Sequence, residues 1–259
     1  MITLKPSRID YYNHNTPILY DREIDEFAYA VLEDYKPQLL QEPSALNFQL
    51  FLESYLNVTL IFKDIYNDDP NRPIFGVVAF RDGILKLFDR ENECTSNMLV
   101  RKNSVIIDNY VMAPGREGLA LFTGCHEAGH YLIHQGVYGT EYKNQTGEQE
   151  NKLSGIVYCR RDTVENFGGR SSERTAKQWR EHQADYFAAS ITMPNATFIP
   201  FVNEIMRENG VYKRCIVLGD DEDLDIFAKE LLPDHISEVY GVSRRAALIK
   251  LKKSGFVSM

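Results

Sequence analysis

His126-Glu127-Ala128-Gly129-His130 is the stretch on which the reading of this chain turns. It lies within Arg116 to Gly136, where apolar residues recur at the three-and-four spacing of a helix. Leu121, Cys125, Ala128 and Leu132 line one face, and Leu119, Phe122, Gly129 and Ile133 occupy the neighbouring ones. A helix that is apolar on more than one side is a buried helix. Residues i and i+4 project from nearly the same side one turn apart, so the imidazoles of His126 and His130 can reach a single ion. Two neutral imidazoles suit Zn2+ and leave room for a third protein ligand and a water, with Glu127 beside that water as its base. Core positions given to His, Glu and His lose apolar burial unless a partner compensates, which favours a metal over two hydrogen-bonded histidines.

The third ligand must come from elsewhere. His134 continues the series, but at ~1.5 Å per residue it sits about 12 Å along the axis from His126, too far for one tetrahedral ion. It reads as a packing or hydrogen-bonding residue. The longer signature H-E-x-x-H-x-x-G-x-x-H is excluded, because Ile133 and Gly136 stand where it requires Gly and His. A further helix is expected from about Ser172 to Thr192, stopped by Met193-Pro194, and it carries Glu181-His182-Gln183-Ala184-Asp185. Glu181 is the candidate third ligand, with His182 as its rival. Asp185, one turn on, can accept the free N–H of a ligating histidine and fix its tautomer. Small Ala184 and Ala188 allow the two helices to approach closely.

Around these helices the pattern is mixed. Ile24, Phe27, Ala28, Val31, Leu32 and Tyr35 form one helical stripe that Pro37 ends, and a second helix is expected after Pro43-Ser44. Val58–Ile65, Ile74–Phe80, Ile84–Phe88 and Ser104–Val111 read as strands, with Gly155–Cys159 as one more. The Asp82-Gly83 pair predicts a tight hairpin between the second and third of them. Consecutive strands without intervening helices predict an α+β fold with a small, mostly antiparallel sheet. Beyond Pro194 the chain reads as helical. Phe198 to Asn209 ends at Gly210, Leu224 to Leu232 follows the acidic run Asp220–Asp223, and two short helices flank Gly241. Residues 1–195 are expected to form the catalytic domain and residues 196–259 a helical C-terminal region.

The 259 residues are 44% hydrophobic and 25% charged, an ordinary globular composition. Lys+Arg 29 against Asp+Glu 37 gives −8, the wrong sign for a general polyanion binder. No apolar run approaches the roughly 20 residues that span a bilayer, and Met1–Pro6 lacks a signal peptide's apolar core. With four dispersed cysteines and no C-x-x-C pair, these features predict a cytoplasmic protein with reduced thiols and no membrane partner.

His126-Glu127-Ala128-Gly129-His130-Tyr131-Leu132-Ile133-His134, followed by Glu181-His182-Gln183-Ala184-Asp185-Tyr186-Phe187-Ala188-Ala189 and Met193-Pro194, resembles the ImmA/IrrE family of metallopeptidases. The resemblance covers roughly residues 20–257. It implies a zincin-like fold, one Zn2+ on His126, His130 and Glu181, catalysis by Glu127, and Asp185 where the family has Asn or Asp. It also implies a protein or peptide substrate such as a helix-turn-helix transcriptional repressor. The spacing of 51 positions from His130 to Glu181 implies an insertion beside the cleft, and Ile191-Thr192 replaces the usual Leu-Leu. The rival function is a metal-binding regulatory module that docks a repressor or DNA without cutting. Its DNA contact would be the helix bearing Arg244, Arg245, Lys250, Lys252 and Lys253, which otherwise packs through Ala247, Leu248 and Leu251 with its lysines in water. Tyr131, Tyr186 and His182 are the candidates for stabilising an oxyanion.

Overall fold

The computed structural model describes residues 2–6, 8–10, 15–69, 73–138, 156–160 and 175–258, and only the backbone of 159 and 160. The expected insertion between the two motif helices lies largely outside these residues, as does the start of the second motif helix at 172–174.

Helix α1 spans Asp21–Tyr35 and buries Ile24, Phe27, Ala28, Val31 and Leu32, the stripe expected from spacing. Its first turn is closed by Glu23, whose carboxylate accepts the Tyr20 N–H at 2.7 Å. The helix after Pro43 begins at Phe48, capped by the Asn47 side chain, and continues as a π-turn over Phe51–Tyr55.

Five strands follow before the next long helix: β1 Thr59–Lys63, β2 Ile74–Ala79, β3 Gly83–Asp89, β4 Cys94–Val100 and β5 Ser104–Asp108. A sixth, β6, covers Ile156–Arg160. Four of them form a sheet in the order β1-β5-β2-β6; β1 is parallel to β5, and the other pairs are antiparallel. Val77 pairs with Ile106 on one side and Tyr158 on the other, so β2 is central and buried on both faces.

The expected hairpin is corrected. β2 does not turn back into β3; β3 pairs with β4, Leu85 opposite Met98, as a separate two-stranded ribbon. The turn is made by Asp89, whose Oδ1 accepts the N–H groups of Glu91 and Asn92 at 2.9 and 3.0 Å, with Glu93 at φ 49°. Asp82 instead accepts the Lys102 N–H at 2.8 Å, fastening the ribbon's far end. The strand expected over Ser104–Val111 is also shorter, because the Asp108 carboxylate takes the Tyr110 N–H and opens a 3-10 turn.

The ribbon covers one face of the sheet, enclosing Ile65, Val77, Leu85, Val100 and Ile106. The other face carries Phe75, Val78, Val105 and Ile107 into the main core, which the helices complete. The alternation of β2 slips where its register with β6 shifts between Ile74 and Gly76, a bulge that turns Gly76 toward the helices.

Helix α2 spans Glu117–Ile133, and every residue from Thr123 to Ile133 is buried. Helix α3 spans Ala176–Thr192 and starts with a reciprocal cap between Thr175 and Gln178. The two lie close because Gly129 faces Ala184: a Cβ on Gly129 would stand 3.1 Å from the Ala184 backbone.

After Met193-Pro194 come α4 Asn195–Glu208, a helical turn at Glu222–Ile226 capped by Asp221, α5 Leu232–Tyr240 and α6 Arg244–Lys253. Gly241, at φ 68°, ends α5. Phe198, Ile236, Tyr240, Ala247 and Leu251 join the same core as Phe27 and Phe187. On α6 one expectation needs correction: Lys250 is 6% exposed and lies toward the Phe198 ring, not in water. Among the described residues no helix is long and apolar enough to cross a membrane.

Candidate metal centre

Helices α2 and α3 make the largest helix–helix seam of the molecule, and the polar residues of both motifs meet in it. His126 Nε2 lies 3.0 Å from His130 Nε2. Glu181 Oε2 lies 3.5 Å from the first and 3.6 Å from the second. One ligand atom from each of the three residues falls within 4.8 Å of the others, and all three residues are buried. The one-turn spacing on α2 and the close approach at Gly129 and Ala184 produce this convergence.

The outer atoms are held as well. His126 Nδ1 donates to Asp185 Oδ1 at 2.8 Å, which leaves Nε2 as a bare lone pair facing the group. His130 Nδ1 lies 2.9 Å from His134 Nδ1, and His134 Nε2 lies 2.9 Å from Gln183 Oε1. His134 is therefore a hydrogen-bonding neighbour of the group, one ring removed from it.

Glu127 sits beside the histidines with both carboxylate oxygens buried and without a hydrogen-bond partner among the described residues, and the same holds for Glu181 Oε2. A buried unsatisfied carboxylate oxygen is expensive, and two imidazole lone pairs facing each other repel. A divalent cation held by His126, His130 and Glu181 would satisfy these ligand atoms together. The donor set of two nitrogens and one carboxylate oxygen, with a position left open, fits zinc. Gly76 of β2 makes room for Glu127, since a Cβ there would lie 2.5 Å from Glu127 Oε1.

Burial sets the protonation states. It pushes the Glu127 carboxyl up to about 8, with the charge of Glu181 adding to the shift and His126 opposing it. It pushes His130 down and His134 well down, toward neutral rings. Glu181 is held below the usual carboxylate range: burial opposes ionisation, but His130 and His126 together outweigh it. A neutral His130 ring and an ionised Glu181 are the states that a cation needs in these two ligands.

Other candidates are placed elsewhere. His182 Nε2 meets Asp21 Oδ1 at 3.0 Å, and the Tyr186 hydroxyl donates to Asp25 at 3.1 Å. Tyr131 stacks on Phe80 in the core. None of the three residues considered for an oxyanion is directed to the group by these contacts. A cavity of about 520 Å3 reaches Asp185 from beside α3 and is walled by Phe75, Phe122, Tyr186, Ala189 and Lys250.

Several residues of the surroundings carry no signal in the sequence. Arg180 is 3% exposed, donating from Nε to the Tyr138 hydroxyl at 2.7 Å and from Nη1 to Thr16 Oγ1 at 2.8 Å. Gln183 Nε2 donates to the Pro17 carbonyl at 2.7 Å. The contacts to Thr16 and Pro17 join positions more than 160 residues apart, and no local pattern announces them. Gly76 alone had a cue, as a glycine within an apolar strand. Against known protein families and curated proteins the chain shows no match.

Proposed function

We propose that the chain is a zinc-dependent endopeptidase of the ImmA/IrrE kind, with a zincin-like fold, His126, His130 and Glu181 as metal ligands and Glu127 as catalytic base. One observation carries the reading: a buried His-His-Glu group adjoins a second buried carboxylate that has no hydrogen-bond partner among the described residues. Bound zinc would supply Lewis acidity toward a peptide carbonyl and toward water. Glu127 takes the proton of the attacking water and returns it to the leaving amine, a role suited to a carboxyl with its pKa at about 8. Asp185 holds the His126 ring in its ligating orientation. The cavity beside Asp185, mostly apolar in its lining, is the place for a substrate side chain next to the scissile bond. The target is a regulatory protein of the helix-turn-helix repressor type.

The rival, a metal-binding module that docks a repressor or DNA, has no use for an unpartnered carboxylate in a dry site. Arg244 is paired with Asp234 and Lys250 is buried, which leaves α6 fewer cations for phosphate. The test uses the whole chain. Metal analysis of the purified protein is expected to give one zinc, and Glu127→Gln is expected to keep the zinc, capture the partner and not cut it. Wild-type protein then cleaves the captured partner. A metal-free native protein, or Glu127→Gln with undiminished turnover, overturns the reading.

A further inference from the structure

Two buried polar residues have no part in the chemistry above. His134 is fully buried and Gln183 is 1% exposed. They form a single file with His130 and Pro17. His130 Nδ1 lies 2.9 Å from His134 Nδ1, His134 Nε2 lies 2.9 Å from Gln183 Oε1, and Gln183 Nε2 donates to the Pro17 carbonyl at 2.7 Å.

The direction of every link follows from the far end. A peptide carbonyl only accepts, so the amide nitrogen of Gln183 faces Pro17 and its oxygen faces His134. That oxygen also only accepts, so His134 carries its proton on Nε2. A neutral imidazole has one proton, and His134 Nδ1 is therefore an acceptor. His130 must then donate from Nδ1, and its Nε2 is left as a bare lone pair aimed at His126 Nε2 and Glu181 Oε2. Turning His130 to the other tautomer would break a link or set two acceptors face to face at each step.

We infer that His134 is a positioning residue, which acts through Gln183 and the Pro17 carbonyl to hold His130 in the tautomer that can ligate a metal. The inference rests on the metal-centre reading above. It also separates the two histidines of the motif. His126 is set by a carboxylate, Asp185, whereas His130 is set by a file of uncharged groups ending on backbone. The second device fixes a proton without placing another negative charge beside Glu127 and Glu181.

The experiment is long-range 1H–15N correlation of the histidine rings in the full chain, without metal and with zinc, joined to zinc affinity by chelator competition. The expected pattern in the metal-free protein is a proton on Nδ1 of His130 and on Nε2 of His134. His134→Phe, which removes the acceptor, is expected to weaken zinc binding about 10- to 100-fold and to mix the His130 tautomers. His134→Gln, which can accept from His130 through its amide oxygen and donate to Gln183, is expected to restore most of the affinity. A proton on Nε2 of metal-free His130, or wild-type zinc affinity in a folded His134→Phe, overturns the inference. If His134→Phe does not fold, the wild-type spectrum still decides. Wild-type protein that binds no zinc refutes the metal-centre reading instead, and the tautomers are still read in it.

Discussion

Helices α1 and α2 are of similar length and differ in how they meet the rest of the molecule. α1 shows a single apolar side to the core and leaves Arg22 and Glu26 in solvent, 88% and 61% exposed. α2 is buried all round from Thr123 onward, yet three of its inward positions are His126, Glu127 and His130, with His134 capping its end, each at 0% exposure. The polar groups on α1 sit at its surface, where Asp25 accepts from Tyr186 and Ser190 of α3 and Arg22 pairs with Glu26 one turn on. Those on α2 depend on what other segments bring: Asp185 and Gln183 from α3, and the gap left by Gly76 on β2. A helix that serves stability is self-explanatory, whereas one that serves chemistry is comprehensible only with its neighbours in place.

This contrast can be broken experimentally. Glu127→Gln should reduce cleavage of the captured partner by a factor of 10^3 to 10^5, about 4–7 kcal/mol of barrier, while thermal stability holds because a neutral amide of the same shape replaces a buried carboxyl. Matched turnover and melting assays check both halves. In α1, Phe27→Ala should do the opposite. It should cost about 3–5 kcal/mol in urea unfolding and leave the zinc content of the folded fraction unchanged. Saturation with zinc at a hundred times its Kd should add about 2.7 kcal/mol to unfolding, and a chelator should remove it. Calorimetry with and without the metal measures that difference, and His126→Ala should abolish it.

Gly76→Ala sharpens the comparison, because it touches α2 only from outside. Its new methyl meets Glu127 Oε1, so activity should fall further than the about 1–3 kcal/mol expected of overpacking in stability. Arg22→Ala, on the open side of α1, should leave the urea midpoint and the zinc content unchanged, since solvent screens so exposed a pair. A measurable loss there would show that α1 is less simple than described.

The periodic elements were legible in the sequence because a single buried stripe imposes its spacing on the residues. The α1 stripe and the burial of α2 both follow that rule. The meeting of His126, His130 and Glu181 was legible too, since two helical histidines alone lack a metal shell and Glu181 stands on a helix whose small Ala184 and Ala188 let it approach theirs. Strand β4 was not. Six of its seven residues are exposed or half-buried, so Cys94-Thr95-Ser96-Asn97-Met98-Leu99 shows no apolar alternation, and its pairing rests on backbone alone. The Asp82-Gly83 signal misled for a related reason: turn chemistry is local, and the Asp82 side chain was engaged by Lys102 from across the ribbon. Lys250 resisted reading because a long basic side chain is usually solvated, whereas here it is buried and lies toward the Phe198 ring of α4.

Arg180 and Gln183 reach back to Thr16 and Pro17 across 164 and 166 positions of chain. Residues 16 and 17 leave the ribosome long before those partners exist, so they wait without them while the sheet strands and α2 are made. Loop closure over such a span is slow compared with helix formation. Competence to take up metal should thus arrive late in biosynthesis, after most of the hydrophobic core has condensed, and nascent chains stalled before position 183 should lack it.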